Sequence, residues 1–155
     1  MELLGVRVEI PANTPMVLLR SRLDDRRLLP IYIGLPEATS IHDALEGHLP
    51  PRPLTHDLLV SVIDQLEVEL EHVVITEVRD HTYYARLSLT VDGDEVEIDC
   101  RPSDAIAVAV RAGVTIFADD QLLDEVGQPP EDDDAEIIDE FKDFIDRVSP
   151  EDFAS

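Results

Sequence analysis

Val96-Glu97-Ile98-Asp99-Cys100-Arg101-Pro102-Ser103-Asp104-Ala105-Ile106-Ala107-Val108-Ala109-Val110-Arg111 passes from strand to helix within a few residues. Val96 to Asp99 has strand character, and Asp92-Gly93 just before it is a hairpin signal. Arg101-Pro102-Ser103-Asp104 then opens a short helix over Ala105 to Arg111, with Ser103 as its expected cap. The apolar residues of that helix run all round rather than along one stripe, which predicts burial. Gly113 ends it, and Val114 to Phe117 reads as a short strand.

The remainder of the chain must supply the layers that cover this helix. Leu4, Val6, Val8 and Ile10 alternate with Gly5, Arg7 and Glu9, the period of a half-buried strand. Met16 to Leu19 and Leu28 to Ile33 follow as two further strands, giving an antiparallel meander. Gly34-Leu35-Pro36-Glu37 starts a helix continued by Ala38, Ile41 and Leu45. Pro50-Pro51-Arg52-Pro53 is a stiff connection, after which Thr55 is expected to cap a helix striped by Leu58, Val62, Leu66 and Leu70. Strands return at Val73 to Val78 and Tyr83 to Val91. The order βββααβββαβ predicts an α+β fold: a mixed, largely antiparallel sheet packed with several helices. Residues 1–126 form the expected domain, and 127–155 an acidic linker and C-terminal helix. In that tail Ile137, Ile138, Phe141, Phe144, Ile145 and Val148 make an amphipathic stripe, which should dock on the domain, a dimer mate or a protein partner.

The chain carries 35 acids and 12 bases, a formal charge of -23. From Asp119 onward there are 15 acids and 2 bases, so the tail holds more than half of the excess. Such a field repels nucleic acid and anionic membranes unless a cation or a local Arg cluster offsets it. The longest aliphatic run, Ala105 to Val110, is too short to span a bilayer, and Met1-Glu2-Leu3-Leu4 lacks the features of a secretory signal. Cys100 is the single cysteine, so no internal disulfide forms and the cytoplasm is the expected compartment.

The polar residues that could carry chemistry gather at three helix starts: Glu37, the run Arg52 to Asp57, and the run Arg101 to Asp104. The last two share Arg, Pro, a hydroxyl residue and an acid. Free backbone N–H groups and the helix dipole suit such an end to anions, and an Arg adds a bidentate phosphate donor. Three converging carboxylates would hold a divalent cation suited to phosphodiester hydrolysis. The same residues also have structural explanations: Thr55 and Ser103 as ordinary N-caps, the three acids as dipole partners, Arg52 and Arg101 as their ion pairs. His42, His48, His72 and His81 show no metal-ligand spacing, and there is no Gly-rich phosphate loop, nucleophile elbow or Cys-pair zinc motif. Tyr83 or Tyr84 offers a ring for base stacking, against the alternative that one belongs to the core.

At these segments the chain resembles the bifunctional nuclease domain family. The matching stretches are Leu29 to Gly34 with Glu37-Ala38, Pro51-Arg52-Pro53-Leu54-Thr55-His56-Asp57-Leu58, Thr82 to Ala85, and Ile98 to Ala107. They cover about residues 3–126 in the family's order. The tail, Phe141-Lys142-Asp143-Phe144 with Ser149 to Phe153, resembles that of actinobacterial members. The resemblance implies an α+β domain, a homodimer, and nuclease activity on DNA and RNA. Tyr83 stands where Phe is commoner, and the net charge of residues 1–118, 20 acids against 10 bases, sits awkwardly with a nucleic-acid substrate.

The leading expectation is a metal-assisted nuclease. Glu37, Asp57 and Asp104 would ligate Mg²⁺ or Mn²⁺; Arg52, Arg101, Thr55 and Ser103 would bind the scissile phosphate. His56, with Asp57 and Asp104 as its catalytic company, would act as general base or acid, because an ordinary histidine titrates near neutrality. A small-molecule phosphohydrolase differs from this only in substrate. The alternative class is a non-catalytic binding or regulatory module whose acidic tail docks a protein partner. Geometry separates the two: carboxylates far apart, or each taken up in an ion pair, leave no shared cation site.

Overall fold

The computed structural model describes residues 1–130 and 144–147. Three strands come first: β1 (Glu2–Glu9), β2 (Thr14–Arg20) and β3 (Leu28–Tyr32). They pair antiparallel in the order β1-β2-β3, the expected meander. The register shifts between Leu3 and Gly5, and Gly5 takes φ 145°, which side-chain-bearing residues rarely adopt. Helices α1 (Leu35–Leu45) and α2 (Thr55–Gln65) follow, then β4 (Glu69–Arg79), β5 (Thr82–Val91) and β6 (Asp94–Cys100). Helix α3 (Pro102–Ala112), β7 (Thr115–Ala118) and α4 (Asp120–Val126) close the order.

The class is α+β, and the strands divide between two sheets. The second sheet runs β6-β5-β4-β7, antiparallel except for β4 with β7, which are parallel. A parallel neighbour needs a crossover, and α3 provides it between β6 and β7. The two hairpins of this sheet have two-residue loops with positive φ throughout: Asp80 and His81 in the first, Asp92 and Gly93 in the second. That backbone twist suits tight antiparallel hairpins, and Asp92-Gly93 is the signal the sequence presents for it.

α3 is the centre of the core. Pro102, Ser103, Ala105, Ile106, Ala107, Val108 and Ala109 are all buried. It packs on β4, β5 and β7 of one sheet and on α1, which in turn packs on β1 and β2 of the other. Three alanines in that stretch let the backbones approach closely, while Ile41, Ile75, Ile106 and Leu122 fill the space between layers. α4, within a stretch the sequence shows mainly as acidic, is anchored by the buried Leu122 and Leu123.

The apolar stripe of helix α2 is largely open to solvent. None of its residues is buried, and Leu58, Val62 and Leu66 are 57%, 44% and 69% exposed. Leu70, the fourth member of the stripe, lies on β4. At the other end of the chain, Gln128 exchanges two backbone hydrogen bonds of 2.8 Å with Leu28. Residues 144–147 are helical, with Phe144 and Ile145 against the core; the rest of the expected helix over 137–148 lies outside the described residues. Among the described residues no helix is long and apolar enough to cross a membrane.

Ile106 is fully enclosed, so Ile106→Ala should destabilise the fold by about 2–5 kcal/mol. Leu49 is 93% exposed, and Leu49→Ala should stay within about 0.5 kcal/mol of wild type. Urea denaturation of both variants checks the assignment of the core.

Candidate functional site

Each of the three helix starts places an acid at the third helical position: Glu37 in α1, Asp57 in α2 and Asp104 in α3. The caps are not the hydroxyl residues. Gly34, Leu54 and Arg101 occupy the extended N-cap positions, and none supplies a side-chain cap bond. Thr55 is therefore the first residue of α2, exposed at the cavity described below. Ser103 is the second of α3 and only 5% exposed, turned into the core rather than toward a ligand. Pro36 and Pro102 sit in first turns, where a missing N–H costs nothing.

Asp104 is the hub. Arg101 Nε–H donates to its Oδ2 at 2.8 Å and an Arg101 Nη2–H to its Oδ1 at 3.0 Å, the bidentate fork of a strong ion pair. Arg101 Nη1–H also donates to Glu37 Oε1 at 3.1 Å, tying the start of α1 to that of α3. From α2, His56 Nε2 lies 2.8 Å from Asp104 Oδ1. Burial works to raise the Asp104 pKa, but the bonds from Arg101 and His56 outweigh it and hold the carboxyl below its usual range. An ionised Asp104 requires the proton of a neutral His56 to sit on Nε2. Nδ1 is then a bare acceptor, and Ser40 Oγ stands 2.7 Å from it, so the hydroxyl donates.

Asp57 is turned elsewhere. Its Oδ2 accepts the Leu54 N–H at 2.9 Å, and its Oδ1 accepts Arg111 Nε–H at 2.8 Å. These two bonds, Arg111 first, hold the Asp57 carboxyl below the usual carboxylate range. Arg111 also donates to the carbonyls of Ala107 and Ser40, so one guanidinium clamps α1, α2 and α3 together. Sequence reading finds neither Arg111 nor Ser40. The signal for Ser40 is its position three residues after Glu37, on the same face of α1; Arg111, 54 residues from Asp57, has no local signal.

A cavity of ≈ 610 Å³ opens over this junction, lined in part by Glu37, Ser40, Leu54, His56, Arg101 and Asp104. Arg52 is exposed, is not among its lining residues, and makes no ion pair among the described residues. A second cavity of ≈ 580 Å³ shares Thr55, His56, Arg101 and Asp104, but its other walls are apolar, from α2 and from β5 and β6. Cys100 lines it, with its thiol pKa pushed up to about 11 by burial and by Asp104 and Asp99, so it stays protonated. Tyr83 and Tyr84 line neither cavity; Tyr84 lies under the Arg79 guanidinium at 4.3 Å.

The three carboxylates expected to share Mg²⁺ or Mn²⁺ do not form one donor set. Among the described residues no three His, Cys, Asp or Glu side chains are gathered as metal ligands. Arg101 takes the cation's place between Glu37 and Asp104, and Arg111 holds Asp57 away. The residues as arranged do not fit a three-carboxylate divalent site.

Residues 17–131 match the bifunctional nuclease domain. An uncharacterized protein of Mycobacterium tuberculosis is 40% identical over 158 residues, covering 96% of this chain and 94% of that one. Bifunctional nuclease 2 of Oryza sativa subsp. japonica is 33% identical over 115 residues, 72% of this chain and 35% of that protein. Bifunctional nuclease 2 of Arabidopsis thaliana is 33% identical over 92 residues, 57% of this chain and 28% of that protein. The chain belongs to the bifunctional nuclease domain family, and it spans about a third of the plant proteins that carry the nuclease name.

The Asp57–Arg111 pair has a pH signature. A carboxyl whose folded pKa lies below its unfolded value, about 3.9 for Asp, contributes stability that is fully present above that value. It is lost as pH falls through the folded pKa. Asp57→Asn removes this contribution, so the urea midpoints of wild type and variant should differ at about pH 6 and draw together as pH falls through the folded pKa. A constant gap across that range would mean that the pair does not titrate as described.

Proposed function

We propose that this chain is a nuclease that cleaves phosphodiester bonds of DNA or RNA in the cavity at His56. The observation that carries the reading is the oriented imidazole: Nε2 fixed by Asp104, Nδ1 left as a base, and Arg101 beside it. Phosphodiester cleavage needs a base for the nucleophile's proton, an acid for the leaving oxygen, and positive charge at the phosphate. His56 supplies the first two in turn. Arg101, 63% exposed, supplies the third with the N–H groups not used on Asp104 and Glu37. Arg52 contributes charge at the approach to α2. The nuclease names of the plant relatives agree with this chemistry.

Mg²⁺ or Mn²⁺ enters the proposal as a counter-ion to the acidic field, not as the shared ligand of Glu37, Asp57 and Asp104. At a formal charge of -23, an anionic substrate meets repulsion that such ions offset. The single cysteine, with no disulfide to keep, supports a cytoplasmic setting for the reaction.

Cleavage of a labelled single-stranded oligonucleotide with Mg²⁺ or Mn²⁺ tests the reading. His56→Ala and Asp104→Asn should each lower the rate by about 10²–10⁴-fold, whereas Asp57→Asn, folded at the assay temperature, should stay within a few-fold. An equal loss in Asp57→Asn would restore the three-carboxylate cation site. Wild-type protein inactive with both metals would sink the nuclease altogether.

A homodimer belongs to the same proposal, supported by the apolar faces of α2 and β6. Leu58, Val62, Leu66, Val96 and Ile98 are all exposed, and an apolar patch of this kind is what a subunit interface covers. Sedimentation velocity should give the mass of two chains for wild type and of one for Leu66→Glu. A wild-type monomer would instead favour a surface that docks a different protein.

A further inference from the structure

Ser40 sits in the middle of α1, where a serine hydroxyl ordinarily points to solvent or bonds back to the carbonyl four residues earlier. Its Oγ instead lies 2.7 Å from His56 Nδ1. The far ring nitrogen of His56 lies 2.8 Å from Asp104 Oδ1. Hydroxyl, imidazole and carboxylate thus form a continuous chain from three different helices, and all three side chains line the ≈ 610 Å³ cavity. Nucleophilic catalysis needs this set: a hydroxyl within reach of a base, and a third group that fixes the base. The ring is used in the opposite sense to the common serine-hydrolase arrangement, with carboxylate on Nε2 and hydroxyl on Nδ1.

We propose that Ser40 is a nucleophile, activated by His56 with Asp104 as the positioning residue, and that it attacks phosphorus in a phosphate ester to give a phosphoseryl intermediate. The Ser40 Oγ–P bond forms and one P–O ester bond breaks. The hydroxyl proton passes to His56 Nδ1 and from there to the departing alkoxide. Water then gives its proton to Nδ1 and attacks phosphorus, the Oγ–P bond breaks, and the proton returns to Ser40. No oxidant or further reactant enters. Arg101 stands beside Asp104 with N–H groups available to the phosphoryl oxygens, since three of its five hydrogens are used on Asp104 and Glu37. The Ser40 backbone is also fixed, because Arg111 donates to its carbonyl at 3.1 Å. The choice of phosphate ester rests on the nuclease reading; the nucleophile itself does not.

A fluorophosphonate probe reports the nucleophile without any nucleic acid. Intact-mass and peptide analysis of the full chain should show one phosphonyl group, on Ser40, and none in Ser40→Ala. His56→Gln and Asp104→Asn should label about tenfold more slowly or less, because the base is lost or unoriented. Ser40→Ala removes only one hydroxyl, and its thermal melt reports whether the fold survives. Unlabelled wild type, or labelling of Ser40 at the same rate in both His56→Gln and Asp104→Asn, overturns the proposal. The two readings fail separately. A protein labelled at Ser40 that cleaves no oligonucleotide refutes the nuclease and keeps the nucleophile. An unlabelled protein whose Ser40→Ala variant cleaves at the wild-type rate refutes the nucleophile and keeps the nuclease.

Discussion

The burial of α3 constrains everything else in this protein. A helix with seven enclosed residues between two sheets and α1 has no freedom to slide or turn, so its first turn is held at a fixed place on the surface. That turn carries Arg101 and Asp104, and the functional geometry is measured from them. His56 reaches Asp104 from a helix with no buried residue of its own. α2 is positioned by polar bonds at its start, Asp57 to Arg111 and His56 to Asp104 and Ser40, together with Ile63 packed against the core. Rigid scaffold and polar tether together give a preorganised imidazole on an otherwise loosely packed helix.

Electrostatics explains why so acidic a chain keeps Arg101 at the start of α3 and Arg111 in its last turn. Three carboxylates at helix N-termini are favoured by their own dipoles but repel one another. Arg101 and Arg111 resolve that conflict by taking two pairs apart: Arg101 joins Glu37 and Asp104, and Arg111 takes Asp57. Breaking the half-buried Arg111–Asp57 pair removes a bond that spans three helices. The same arrangement that stabilises the junction leaves no carboxylate cluster for a bound cation. It also shifts chemical interest from the acids to the histidine and serine between them.

Much of this was legible in the residues themselves. The all-round apolar pattern from Ala105 to Val110 announced the buried helix, and alternation at Val6 and Val8 announced the meander. Asp92-Gly93 marked its hairpin. The three helix starts were also visible; of the residues singled out there, Glu37, His56, Arg101 and Asp104 are joined by hydrogen bonds, whereas Asp57 is bonded to Arg111 instead. What stayed hidden depends on long-range contact. The stripe of Leu58, Val62 and Leu66 reads the same whether it faces a core or a groove. α4 was masked by the acidic composition around Leu122 and Leu123. Thr55 and Ser103 look like caps, yet Leu54 and Arg101 are the residues that take the extended cap conformation. Arg111 and Ser40 act across 54 and 16 residues, and periodicity carries no information at that range.

The central claim is that Asp104 and Ser40 fix a single tautomer of His56. Nitrogen-15 spectra of the imidazole side chains, taken at about pH 8 where an ordinary histidine is neutral, observe this directly. The account predicts that His56 shows a protonated Nε2 and an unprotonated Nδ1, and that Asp104→Asn converts it to a mixture of tautomers. A wild-type His56 carrying its proton on Nδ1, or averaging freely between the two nitrogens, would contradict it.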